Sequence, residues 1–273
     1  SGHGSVDMRK AITVSCDTFF YGLAMELGID RLASFVSHFG FGRITGLDIK
    51  GEVSGLMPTP EWKKRRFKQP WYMGETVIVG IGQGYTLVTP MQLAHATATL
   101  ANRGNAMRPH IVNSIINPKT KVATQLPNVV MDKVKLSEQN LDIVKLGMVD
   151  VTLPGGTAAS VGANAGYSIA AKTGTAQVIG IKQNEKYNES SINERHRDHA
   201  LFIAYAPADD PKIAIAVIVE NGGHGGSAAG PIARKVMDYY LLGKMPETAA
   251  VKADSTAVNA QQPPAAELEL HHD

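Results

Sequence analysis

The chain of 273 residues sets 27 Lys and Arg against 25 Asp and Glu, for a formal net charge of +2. That balance, with no basic stripe interleaved with aromatics, argues against a nucleic-acid partner. Apolar residues at 44% and charged residues at 19% are ordinary for a globular protein. The length suits one large domain with a loose tail, and no apolar run is long enough to span a bilayer.

In chain order, Ser1-Gly2-His3-Gly4 has neither the basic nor the apolar region of a signal peptide, so any export signal or anchor is expected outside this chain. Residues 8–27 read as helix, with Ile12, Phe19, Phe20, Leu23 and Leu27 as its apolar positions and a stop at Gly28. A polar break, Ser15-Cys16-Asp17, interrupts them. Residues 30–39 read as a second short helix, ended by Gly40 and Gly42. From 44 to 74 the chain is rich in Gly and Pro, which predicts a long surface excursion. Its cluster Lys63-Lys64-Arg65-Arg66-Phe67-Lys68 is expected on a solvated loop. Residues 76–84 (TVIVGIGQG) form a short β-branched run ending in three alternating glycines.

Thr89-Pro90 opens a helix through Leu100, with proline in its first turn and Gly104 closing it. Residues 111–116 read as a strand, and Ser137 starts a helix through Val151 that Pro154-Gly155-Gly156 stops. The last third is the clearest: strands at 167–178, 200–206 and 212–220, then a helix at 229–242. Strand runs followed by helices point to the α+β class, an antiparallel sheet with helices packed on it. The domain is expected to end at Gly243. Residues 244–273, poor in large apolar side chains, read as a disordered tail.

The chemistry concentrates in Lys172-Thr173-Gly174-Thr175. A lysine, two threonines and a bare glycine pack poorly inside an apolar strand but suit the edge of a site. Alternation puts Thr173 and Thr175 on one face and Lys172 on the other. Gly174 lets another backbone approach, and the open strand edge can pair with an extended peptide. The Thr175 N–H is a candidate oxyanion donor; the bland alternative is a strand end with a solvated lysine. Ser15 can relay a proton between a lysine and a leaving amine, with Asp17 beside it as an acceptor. The bland alternative there is a helix cap. His3 and Cys16 are zinc-ligand types in one short segment, but a structural zinc wants four donors, and spacing alone favours a loop histidine and a buried cysteine. As the single cysteine, Cys16 excludes an internal disulfide. His199 and His224 read as structural.

Five blocks then fall in order: SCDTFFYGLA at 15–24, GIGQGYTLVTPMQLA at 80–94, GGTA at 155–158, KTGTAQ at 172–177 and DHALFIAYAP at 198–207. Together they resemble class B penicillin-binding proteins of the elongation type. The resemblance implies a serine β-lactamase-like transpeptidase fold, in which a five-stranded antiparallel sheet with flanking helices packs against a helical lobe. The site would lie in the cleft between the two. It implies a peptidoglycan D,D-transpeptidase of cell-wall elongation and shape maintenance, in the periplasmic domain of an inner-membrane-anchored bacterial protein. Stem peptides and β-lactams would be its ligands, and glycan-polymerising and elongation-complex membrane proteins its partners. Catalysis would need no cofactor. Ser15 and Asp17 would form the second motif of the family, whose members often carry Asn in place of Asp17. Lys172, Thr173 and Gly174 would form the third motif, and Thr175 would add an oxyanion N–H. A structural zinc would use His3 and Cys16.

The departure is the nucleophile. The family attacks with the serine of Ser-x-x-Lys, yet no serine here has lysine three residues later. The resemblance therefore implies a chain cut after its first motif, inactive toward penicillin by itself. Two further readings stay open: a related D,D-carboxypeptidase or β-lactamase, and a non-catalytic penicillin-recognising or scaffold domain.

Overall fold

The computed structural model describes residues 2–178 and 193–245; the expected tail beyond 245 lies outside the described residues. Helix α1 (Met8–Thr13) is capped by Asp7, whose carboxylate accepts the Lys10 N–H at 2.8 Å. Helix α2 (Asp17–Ser37) follows after a turn at Ser15-Cys16, so the polar break separates two helices. Gly28 leaves the helical region, with φ 74° and ψ 159°, and divides α2 where the sequence places a stop.

The expected surface excursion is more structured than its composition suggests. It contains helix α3 (Pro60–Phe67), capped by Thr59, and leads into helix α4 (Met73–Val79). The basic cluster therefore lies on a helix, and Lys63 is buried. Its Nζ sits 2.5 Å from Glu75 Oε1 and 4.2 Å from the centroid of the Tyr72 ring. Burial works against the Glu75 charge, but hydrogen bonds from Lys63 and from the Tyr72 N–H outweigh it and hold the carboxyl below its usual range. A buried cation with a close partner is the form in which burial of charge is tolerated. The same Glu75 accepts the Tyr72 N–H at 2.8 Å and so starts α4 through the β-branched run Thr76–Val79. Here packing on α2 overrides β propensity.

Helix α5 (Pro90–Ala101) begins as expected, with Thr89 and Gln92 forming a reciprocal cap. The Gln92 side chain is fully buried and donates to the carbonyls of Arg43 and Ser54 at 2.7 Å each, tying the preceding loops to the helix. Strand β1 (Asn105–Met107) pairs with β4 (Val130–Lys133), and β2 (Ser114–Ile116) pairs with β3 (Ala123–Gln125). The strand expected at 111–116 thus shrinks to its last three residues. Helices α6 (Glu138–Asp150, capped by Ser137) and α7 (Ala159–Gly162) lead into the main sheet.

That sheet is antiparallel, in the order β5 (Ala170–Ala176), β6 (His199–Ala206), β7 (Ile213–Val219), and helix α8 (Ala229–Leu242) follows it. Among the described residues it has three of the five strands expected of the whole family domain, and the four short strands pair off into separate ribbons. Small residues line its centre: Ala170, Ala171, Ala200 and Ala204 are buried beside Phe202. Phe202 faces α8, where Ala229, Ala233 and Met237 join the core. Ile203, one residue on, faces α5 and α6. The sheet is therefore covered by helices on both faces, and β5 forms one edge of it.

Candidate functional site

Lys172 pairs in register with Ile203 and Thr173 with Phe202. Cross-strand partners share a face, so Lys172 looks toward the helical lobe and Thr173 toward the α8 side, as alternation predicts. From that position Lys172 Nζ donates to Ser15 Oγ at 2.5 Å, bridging 157 residues of sequence. It also donates to the Thr173 carbonyl at 3.0 Å. Ser15 reaches this point from the turn between α1 and α2 in a left-handed conformation, φ 52°. Non-glycine residues adopt that region at a cost and persist there where surrounding structure holds them, often at functional sites. Ser15 is not the helix cap, since Cys16 precedes α2 and makes no side-chain cap bond. The bland alternative for Ser15 is replaced by a contact with the lysine.

Burial pushes the Lys172 ammonium down to about 8, and the negative charge of Asp17 pulls the other way. Asp17 is exposed on the first turn of α2 and lines the same cleft. The cleft has a volume of about 720 Å³, with Ser15, Asp17, Phe20 and Tyr21 on the helical side and Lys172, Thr173, Gly174 and Thr175 on the strand side. A lysine titrating near neutrality against a serine hydroxyl can both hold and pass a proton.

Gly174 has a packing reason as well as a chemical one. A Cβ there would lie 3.2 Å from the Leu201 Cβ. On the loop before α8, a Cβ on Gly225 would fall 2.7 Å from the Gly174 carbonyl oxygen. Two backbones meet here with no room for side chains. Thr173 Oγ1 lies 3.1 Å from Thr157 Oγ1, which brings the Gly-Gly-Thr turn at 155–157 to the cleft.

Two contributors escaped the residue-by-residue reading. Thr157 is one; a threonine after paired glycines was the available signal. The other is Gln83, whose Nε2 donates to the Thr175 carbonyl at 2.6 Å. Left-handed Gly82 and Gly84, at φ 78° and 75°, turn the chain on either side of it. Gly80 is pressed against Ala24 and the Phe20 carbonyl of α2, where no Cβ would fit. The alternating glycines thus set Gln83 against the strand.

His199 and His224 keep structural surroundings. His199 Nδ1 accepts the Asn221 N–H at 2.9 Å, and the His224 carbonyl accepts the Ala228 N–H at 3.0 Å. His3 is exposed and Cys16 buried. Among the described residues no group of three or more His, Cys, Asp or Glu is placed to hold a metal. Within this chain His3 and Cys16 supply at most two of the four donors that a structural zinc wants.

Residues 1–238 match the family described as the penicillin binding protein transpeptidase domain. The chain is 45% identical over 251 residues to the peptidoglycan D,D-transpeptidase MrdA of Haemophilus influenzae, covering 90% of this chain and 38% of that protein. It spans well under half the length of that curated relative. Among solved structures it resembles Pseudomonas aeruginosa PBP2 in complex with WCK 5153, with a TM-score of 0.73 at 46% identity, over 90% of this chain and 50% of that one. It also resembles PBP2 of Helicobacter pylori in complex with MreC, with a TM-score of 0.74 at 34% identity, over 89% of this chain and 42% of the other. The family match runs over most of the chain and the fold agrees with the solved relatives, so the chain belongs to the penicillin-binding protein transpeptidase domain family.

Proposed function

We propose that this chain supplies two walls of a peptidoglycan D,D-transpeptidase that crosslinks stem peptides during cell-wall elongation, its nucleophilic serine coming from a segment ahead of Ser1. The single observation that carries the reading is the 2.5 Å contact from Lys172 Nζ to Ser15 Oγ at the edge of β5. The nucleophilic serine attacks the carbonyl between the last two D-Ala residues of a stem peptide and forms an acyl-enzyme. The leaving D-Ala amine needs a proton. Ser15 gives its own and is refilled by Lys172. Thr173 and Thr175 hydroxyls hold the terminal carboxylate, and the Thr175 N–H stabilises the oxyanion. A second stem-peptide amine then resolves the acyl group. β-Lactams imitate the donor and stop at the acyl stage.

The domain runs to Gly243 in this reading and works on the periplasmic side of a bacterial inner membrane, anchored through parts of the protein outside this chain. Its partners are glycan-polymerising and elongation-complex membrane proteins; the MreC complex of the Helicobacter pylori relative supports that class of partner. No step runs through zinc.

The test is mass spectrometry of the full-length parent protein and of the 273-residue chain after exposure to benzylpenicillin. The parent is expected to gain one penicilloyl group, and the 273-residue chain none. An unmodified parent would sink the transpeptidase reading. An adduct on the shorter chain would sink the placement of the nucleophile. D-Ala release without crosslinked product would turn the assignment toward a carboxypeptidase.

A further inference from the structure

The open edge of β5 is partly occupied before any substrate arrives. Lys172 donates to the Thr173 carbonyl and Gln83 to the Thr175 carbonyl, at 3.0 and 2.6 Å. The Gln177 N–H also points outward and meets Gln83 Oε1 at 3.5 Å. Within an antiparallel strand, the N–H and C=O of one residue face the same side, and successive residues alternate. The outward carbonyl of Thr175 therefore puts the Thr175 N–H on the cleft side too. A peptide residue that gives its carbonyl to this N–H brings its own N–H to the Thr175 carbonyl, because such paired residues exchange both bonds. Gln83 Nε2 already stands at that carbonyl.

We propose that Gln83 is a specificity-determining gate on the acyl-donor subsite: its side-chain amide occupies the Thr175 carbonyl in the free protein and is displaced by the backbone-type N–H of the incoming donor. The proposal rests on the function given above. Gln83 is placed for the exchange. Its backbone is set by Gly82 and Gly84, while its half-buried side chain has torsions free to swing. Donors carrying an acylamino N–H replace the bond they break. Donors without that N–H leave the carbonyl with Gln83 and break nothing. The gate thus offsets the advantage that an acylamino N–H would otherwise bring, because only a donor with that N–H must break the Gln83 bond to make its own. It also corrects the expectation of a fully open strand edge, since a ladder cannot run past Thr175 while Gln83 holds its carbonyl.

The experiment measures acylation rates of the parent protein by benzylpenicillin, which carries an acylamino N–H, and by a carbapenem, which has none at that position. In Gln83→Leu the penicillin-to-carbapenem rate ratio is expected to rise about three- to tenfold, the range of one net hydrogen bond. Gln83→Asn, too short to reach the carbonyl, should raise the same ratio and guards against a folding defect in the leucine variant. An unchanged ratio means that Gln83 and the ligand share the carbonyl, and it overturns the gate. A fall in both rates with the ratio constant overturns it as well, in favour of Gln83 merely orienting Thr175. Failure of the unmodified parent to react with either drug strikes the transpeptidase reading itself and is distinguishable from both.

Discussion

Two cavities of comparable volume, about 580 and about 720 Å³, sit against the same sheet and could hardly differ more in chemistry. The smaller is walled by Phe35, Phe39, Leu93, Leu100, Leu141 and Ile203, from α2, α5, α6 and β6 and the residues just after α2. The larger gathers Ser15, Asp17, Lys172 and the threonines of β5. Size and apolarity do not separate a site from a void in the packing. Convergent polar groups and a displaced lysine pKa do. The contrast is built into one strand pair: Ile203 and Lys172 are register partners on the same face, one closing the apolar cavity and the other opening the polar cleft.

The sharpest way to break that contrast is to make the cleft apolar. In the parent protein, Lys172→Met is expected to slow acylation by benzylpenicillin about 10²- to 10⁴-fold, the usual range for losing a positioned proton-transfer group. Stability should move the other way. The folded lysine titrates near 8 and the unfolded one near 10.5, so between those values the unfolded chain holds more protons. Unfolding free energy of the unsubstituted protein therefore rises as pH climbs through this window, and it is flat below it. The full swing is on the order of 3 kcal/mol at about 1.4 kcal/mol per pH unit. Denaturant titrations from pH 7 to 11 should show that rise and lose it in Lys172→Met. A variant that keeps both the slope and the acylation rate would remove Lys172 from the chemistry.

The converse change perturbs the apolar chamber. Leu141 is 6% exposed and lines it. Leu141→Ala is expected to cost about 2 kcal/mol, at the low end for buried leucine, because some of its neighbours are already void. Denaturant midpoints measure this cost. The pH dependence of acylation should stay in place. A shift in the alkaline limb would show that the two chambers are coupled through β5 and β6.

Much of this division was legible beforehand, and the exceptions have physical causes. The strands and helix of the last third follow from long, strongly patterned runs, and caps such as Thr89 and Ser137 set helix starts to within a residue. The Lys-Thr-Gly strand and Ser15 stood out because polar groups interrupt apolar patterns there. Lys63 was misplaced because its burial depends on Glu75 and Tyr72, partners that α4 brings in and that composition does not reveal. The helix at Thr76–Val79 was hidden because its β-branched residues follow tertiary packing rather than propensity. Gln83 looked like one polar residue among glycines, since its partner Thr175 lies 92 residues away. The two-strand ribbons are built from strands of three or four residues, mostly exposed and too short for periodicity to register.

The finest test concerns one exposed charge at the mouth of the cleft. The transpeptidase reading has protonated Lys172 refill Ser15, so acylation of the parent should decline as pH rises past about 8. Asp17 opposes the burial that lowers this lysine. Asp17→Asn removes that support, and the alkaline limb is expected to move to lower pH by a fraction of a unit. Because Asp17 is exposed, its influence is screened by salt. Near 1 M salt the two proteins should converge, and near 0.01 M they should diverge most. Profiles of acylation rate against pH at both salt concentrations measure the effect. A limb that moves upward in Asp17→Asn contradicts the sign of this coupling. A downward shift that persists unchanged at high salt points instead to a hydrogen bond lost from the cleft wall, and Asp17 would then act by position rather than by charge.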